Sequence, residues 1–429
     1  MADRVASPVY SLFVQVEMAT HLLKRLRSFA VFALLSLLYA ANPLRAEIVP
    51  AAGSTQSSVA SPAAKGSQQP AKKESWWSLM HDPKDGAFDM SRWLLQHKGA
   101  LFVPIIITEP AVGNGGGLAA VFFHPPSQSQ ESRDAGEHIP PDIYGVAAIK
   151  TENGSNAYGL GGTFHFDDDR WRYKGGIGKA SFNLDYYTQG QLLAPQKIGY
   201  NLDGIFSSQQ VSRRLGGSDI YLSARWVYLD IDSRLNIPGN DQFFKSSDFS
   251  KVASGVGPVL EYDSRNNTLT PSSGWLSMIE ATYYSPTFGG DNTFQSYRTH
   301  TLGYLPFGSE WVLGLRADYR AARGDVPFYQ LPSIDLRGIS YGRYQNLNVA
   351  MVEAELRWNF TSRWAALAFT GAGRAWGRNI DFGDAGTEST EGVGIRYLIA
   401  RQLGMYVGVD SAWGPGEHTY YLQVGSAWR

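Results

Sequence analysis

The chain has 429 residues, a formal net charge of -1 and no cysteine, which excludes a polyanion partner such as nucleic acid, a disulfide framework and any thiolate chemistry. Charged residues are 18% against a usual share of about 25%. Twelve Trp, 23 Tyr, 21 Phe and 46 Gly accompany a slightly negative mean hydropathy, a mix that suits a chain apolar on alternate residues better than one with spanning helices.

At the N-terminus, Lys24, Arg25 and Arg27 precede the apolar run from Phe29 to Ala41, and Ala46 offers a small residue for cleavage before Glu47. Positive residues, a short apolar run and a small-residue site together predict a secretory signal peptide over residues 1–46. The basic cluster lies deep, so Met18 is an alternative start. Residues 47–75 are Ala, Ser, Pro, Gln, Gly and Lys with almost no large apolar side chains, and they predict a disordered linker. Residues 76–99 carry Trp76, Trp77, Trp93, Leu94 and Leu95. Here the Asp82-Pro-Lys-Asp-Gly stretch predicts a turn, Ser91 caps a short helix, and the segment sits at the barrel's periplasmic or interfacial side. A calcium loop is excluded there because the ligand spacing and closing Glu are absent.

From residue 100 to 429 the dominant signal has period two. Val352, Ala354, Leu356, Trp358 and Phe360 alternate with Glu353, Glu355, Arg357 and Asn359, so one face is apolar and the other ionic. Such a strand faces lipid on one side and a charged lumen on the other. The same split recurs in Trp311 to Tyr319, in Ile220 to Tyr228, and in Tyr420, Leu422, Val424 and Trp428. Sixteen strands are predicted near 101–108, 116–124, 143–152, 156–167, 171–187, 197–214, 219–234, 248–264, 274–287, 294–306, 310–323, 348–360, 363–376, 388–402, 404–413 and 418–429. The fold class is therefore all-β, a 16-stranded antiparallel transmembrane β-barrel, whose even strand count fits a wall closed in lipid. The turn-rich stretch 332–346 between two amphipathic strands is too long for a passive connector, and it is predicted to fold back into the lumen.

The stretch EYDSRNNTLTPSSG from Glu261, then LRG, GRY, EAELRW, FTGAGRAWG, GVGIRY and a closing YYLQVGSAW, in that order, resembles the barrel of the BamA/TamA-type outer-membrane assembly factors, also called bacterial surface antigens. The resemblance spans roughly residues 100–429. It implies that Leu336, Arg337 and Gly338 form a lumen-loop motif in which Arg337 meets acidic residues of the inner wall, Glu355 first. The second acidic position of the family pattern is Gly371 here, so Glu353 or Asp381 is expected to substitute. Gln423, Gly425 and Trp428 match a C-terminal assembly signal, which ends at Arg429 where a second aromatic would follow. The segment before residue 100 is too short for the periplasmic POTRA modules of relatives, so a separate periplasmic partner is expected in their place.

Enzyme and cofactor readings are weaker. Gly113 to Gly117 predicts a hairpin rather than a nucleotide loop, since no helix pattern follows. Asp167-Asp168-Asp169 near His165 reads as a solvated turn rather than a metal site. No catalytic residue, metal or cofactor is implied. Three functions stay open: insertion or transport of unfolded outer-membrane proteins or lipid at the bacterial outer membrane, a passive pore, or a barrel-borne lipid-modifying enzyme. The first works through a weak lateral seam between the first and last strands, where Pro104 lacks an N–H donor.

Overall fold

The computed structural model describes residues 76–96, 100–109, 113–124, 129, 142–187, 197–236 and 251–428, apart from 268, 328–329, 340–342 and 379. The signal-peptide and linker assignments, 1–46 and 47–75, lie outside the described residues. Two short helices come first, α1 (Trp76–Leu79) and α2 (Ser91–Gln96). Then follow β1 (Ala100–Glu109), β2 (Gly113–His124), β3 (Asp142–Thr151), β4 (Asn156–Phe166), β5 (Trp171–Tyr187), β6 (Lys197–Arg214), β7 (Ile220–Asn236) and β8 (Lys251–Asp263). The second half is β9 (Gly274–Tyr284), β10 (Phe294–Phe307), β11 (Trp311–Gly324), β12 (Asn348–Trp358), β13 (Trp364–Trp376), β14 (Glu388–Ala400), β15 (Met405–Gly414) and β16 (Glu417–Val424).

Each strand pairs antiparallel with its sequence neighbour, giving one 16-stranded sheet in simple meander order. Period-two patterning makes the wall two-faced. On β12, Val352, Leu356 and Trp358 are exposed outward, while Met351, Glu353 and Arg357 are buried inward. Inversion of that register by one residue would put the carboxylates in lipid, which fixes the pairing. Aromatic rings stack across the outer face at the rim where β1 begins. Phe122, Tyr144, Phe164 and Tyr173 form one ladder, and Phe307, Trp311 and Trp358 another, with neighbouring centroids 5.3 to 6.2 Å apart. They form an interfacial girdle.

The lumen is packed. Towards the far rim, Phe182, Ile231, Phe294, Val326 and Leu331 belong to one apolar cluster, and Tyr284 stacks on Phe294 at 4.2 Å. The connection after β11 starts at that far rim and turns back into the barrel. Its Ile334, Leu336 and Ile339 are buried against Val349 and Met351 of β12. Near the opposite rim, Trp93 and Leu94 of α2, like Val103 and Ile105 of β1, pack on the inward residues Ala119, Val121, Ile143 and Ala147 of β2 and β3.

Two expectations are corrected. Gly113 to Gly117 form no hairpin; they begin β2, where Glu109 pairs with Gly113. An added Cβ at Gly117 would lie 2.3 Å from Ala148 O, so close approach of β3 explains the glycine, not a turn. The last strand does not run to 429. It ends at Val424, and Gly425 adopts φ 78°. From there Ser426 N donates to Leu269 O at 2.6 Å, so the chain leaves the wall and enters the lumen.

Candidate functional site

The inner wall offers an arginine-lined and carboxylate-lined belt because β10, β11, β12, β14 and β15 place their ionic residues at inward positions. Asp318 of β11 is buried and receives Arg298, Arg316 and Arg320 at 2.8, 3.0 and 2.8 Å. Arg316 and Arg320 also hold Asp335 of the inserted loop. Each charge thus has an opposite neighbour, which is the condition for burying it without a large desolvation cost.

Arg337 occupies the centre of this belt. Its Nε donates to Glu353 Oε1 at 2.8 Å and its Nη1 to Asp410 Oδ2 at 3.0 Å, while Nη2 lies 2.8 Å from Glu355 Oε2. The guanidinium carbon stands 3.5 Å over the Phe369 ring, a cation–π contact. Glycine makes the geometry available at two points. Gly338 has φ 90° and its backbone runs so close to β15 that a Cβ on Gly414 would lie 2.1 Å from Gly338 O. Gly392, opposite Phe369, leaves the space that the ring fills.

The loop motif lies inside the barrel, with Leu336 buried beside Arg337 and Gly338 N donating to Tyr421 Oη at 3.0 Å. Its acidic partners are Glu353, Glu355 and Asp410. Asp381 is not one of them: it is exposed in the turn after β13, where its carbonyl accepts from Asp384 N and Ala385 N. Asp410 supplies the third carboxylate, held in turn by Arg396 at 2.6 and 2.9 Å. Sequence reasoning missed it, although Asp410 is the single charge on β15 and alternates with outward Val409 and Trp413. Gly371 is filled by the loop itself, since a Cβ there would sit 3.0 Å from Leu336 Cδ2.

Trp428 overturns the expected lipid-facing end of the last strand. It is 4% exposed, packs with Tyr304, Val312, Leu276 and Leu302, and donates its Nε1–H to Glu353 Oε2 at 2.7 Å. Gln423 remains on β16, paired with Gly408. The glycine-enabled turn at 425 and the buried carboxylate of Glu353 draw the tail inward. Glu353 thus joins the loop through Arg337, β11 through Arg316 and the tail through Trp428.

Between β1 and β16 no ladder pairing forms among the described residues, whereas each of the fifteen other neighbouring pairs is hydrogen-bonded. Sheet edges in hydrocarbon are costly unless paired. The seam is consequently the weakest line in the wall, and the inward turn of residues 425–428 shortens the edge that β16 offers to it. The acidic turn after β4 is not wholly solvated: Asp169 is buried and binds Arg172 through both oxygens at 2.6 Å.

A family model described as the Omp85 superfamily domain matches residues 154–425. Among solved structures, the chain is similar to BamA from Haemophilus ducreyi lacking POTRA domains 1–3, with 15% identity, a TM-score of 0.53, and 77% of this chain and 70% of that chain covered. It is similar also to CdiB from Escherichia coli, at 13% identity and a TM-score of 0.54, covering 75% of this chain and 61% of that one. For CdiB from Acinetobacter baumannii the figures are 11%, 0.51, 76% and 59%. The chain thus spans about three fifths of the length of either CdiB. No curated protein matches the sequence.

Proposed function

Because the chain belongs to the Omp85 superfamily, as a BamA/TamA-type barrel of the outer membrane, we propose that it aids insertion or transport of a protein or lipid through the seam between β1 and β16. Membership places it in the outer-membrane assembly and translocation family; the seam as working element is our reading. One observation carries it: an otherwise fully paired wall leaves these two edges unpaired, so an incoming strand would find free N–H and C=O groups there. The work is conformational and needs no covalent chemistry.

Against a passive pore stands the loop that folds into the lumen, where Ile334, Leu336 and Ile339 are buried against Val349 and Met351. Proteoliposomes bearing the protein provide the test. A urea-unfolded outer-membrane protein should fold into them faster than into empty liposomes, or a fluorescent phospholipid should transfer faster. If neither rate rises while a small solute leaks, the reading fails and the pore stands.

A second reading, lipid hydrolysis, has one observation in its favour. Ser411 Oγ and His418 Nε2 lie 2.8 Å apart on the outward face of β15 and β16. Among the described residues no carboxylate contacts the other ring nitrogen of His418, so the dyad lacks the group that orients the base in a triad. Release of fatty acid from phospholipid vesicles, abolished by Ser411→Ala, would favour hydrolysis over insertion.

A further inference from the structure

Residues 80–96 reach across the seam at the periplasmic rim. On the last-strand side, the buried Arg363, in the turn between β12 and β13, collects three carboxylates of this segment. Its Nε and Nη2 donate to Asp85 at 2.7 and 2.9 Å, Nη2 donates also to Asp82 at 2.7 Å, and Nη1 donates to Asp89. Arg401, after β14, adds a second cation against Asp82. Backbone contacts complete the attachment. Met90 N donates to Ile399 O at 2.7 Å, Tyr397 Oη to Phe88 O at 2.8 Å, and Gln402 N to Ser91 Oγ at 2.9 Å.

The other end of the segment holds the opposite edge. Trp93 and Leu94 pack on Ala119, Val121, Ile143 and Ala147, inward residues of β2 and β3, and β2 is paired along its length with β1. Between the two attachments lie β15, β16 and the unpaired seam. Among the described residues no hydrogen-bond ladder joins β1 to β16, so the segment that grips both sides ties these edges together at this rim.

We infer that residues 80–96 form a strap that keeps the seam shut, and that its release from Arg363 frees β1 to move away from β16. The inference rests on the seam being the working element. It adds a regulator to it. Two kinds of hold operate: the first is ionic and reversible, and the second is apolar. Five side-chain charges meet at the ionic end, three acids against two arginines, so removing Arg363 leaves the carboxylates repelling one another and favours release. A periplasmic partner with its own cationic groups could compete for the same three aspartates, which gives the strap a natural trigger.

The chain has no cysteine, so introduced thiols are unique. Phe102→Cys on β1 and Leu422→Cys on β16, both exposed outward, carry nitroxide labels across the seam. Double electron–electron resonance in lipid nanodiscs then reads the distance without any substrate. The parent is expected to give one narrow distribution. Arg363→Gln should broaden it and lengthen the main distance by about 5 Å, one strand spacing. Trp93→Ser with Leu94→Ser, which loosens the apolar end and leaves every charge in place, should do the same. Asp82→Asn with Asp85→Asn and Asp89→Asn, added to Arg363→Gln, should narrow the distribution again because the repulsion is gone. Folding is checked by the gel mobility of the heat-unmodified barrel, and either releasing variant suffices if the other does not fold. Unchanged distances in the releasing variants overturn the strap, whatever the insertion assay reports. Longer distances without faster insertion or transfer in proteoliposomes leave the strap standing and remove the insertase reading.

Discussion

Replacing Arg337 by Ala tests whether the latch is held by charge. The substitution removes one cation from three carboxylates, but the losses are unequal. Asp410 retains Arg396 at 2.6 and 2.9 Å, and Glu353 retains Arg316 and the Trp428 indole. Glu355 loses its 2.8 Å contact, and the ring of Phe369 loses the guanidinium above it. Breaking one side of a buried ion pair costs about 3–5 kcal/mol. Two of the three acids keep a partner, so the lower end, about 3 kcal/mol, is expected. Urea unfolding of the micelle-embedded barrel reads this directly, and protease cleavage within residues 325–347 reads loosening of the loop. Glu355→Gln in the Arg337→Ala background should recover part of the loss, because the uncompensated charge is then absent. A variant within about 0.5 kcal/mol of the parent, with a loop equally resistant to protease, would refute the charge latch and leave Ile334, Leu336 and Ile339 as its anchors.

Gly338→Ala should cost about 1–3 kcal/mol for the positive φ alone, and it should shift the loop, because the new Cβ meets the Trp413 backbone at 2.9 Å. Hydrogen exchange at residues 334–339 checks it. Trp428→Ala should lower stability by about 3–5 kcal/mol while leaving β16 paired to β15, seen as a lower urea midpoint with unchanged far-UV circular dichroism. Acid should undo the strap in a defined window. Hydrogen bonding from Arg363 holds the Asp85 carboxyl down at about 2, with Arg401 adding to the effect, and Asp89 is lowered as well despite its burial. A depressed carboxylate stabilises the docked form above its unfolded value of about 4 and loses that contribution as pH falls through the folded value. A nitroxide at Ser78→Cys should accordingly stay immobile from neutral pH to about 4 and become mobile between about 4 and 2.

Strand positions were legible because alternation is a local signal that lipid enforces on every strand of the wall. The prediction for 171–187 and 197–214 coincides with β5 and β6. The loop's entry into the lumen was legible for a related reason: an ionic inner face on β11 and β12 needs counter-charges, and Arg337 and Asp335 are at hand in the connection between them. Glu353 and Glu355 could be named because they follow that loop on the next strand. Asp410 could not, since 73 positions separate it from Arg337 and only closure of the barrel brings β15 to the loop. The same holds for Asp82 and Asp85, which read as turn formers in isolation, and for Asp89 beyond them. Each does cap a local backbone N–H, of Lys84, Ala87 and Ser91 respectively, and the second use, on Arg363, depends on the whole wall.

The Trp428 error has a physical source that bears on the seam. Tyr420, Leu422, Val424 and Trp428 share one parity, and on parity alone all four face lipid. Parity persists only while the strand does. Gly425 takes the positive φ that ends β16, and the pull that completes the turn is a buried acceptor, Glu353 Oε2, one to which an indole N–H donates well. Glu353 is therefore both a latch residue and the reason that β16 presents a short edge to β1. Anything that draws Arg337 away changes the charge balance at Glu353 and weakens or strengthens its hold on Trp428. Loop and seam are coupled through that one carboxylate, so loosening the loop is expected to change how firmly the tail, and with it the short edge of β16, is held.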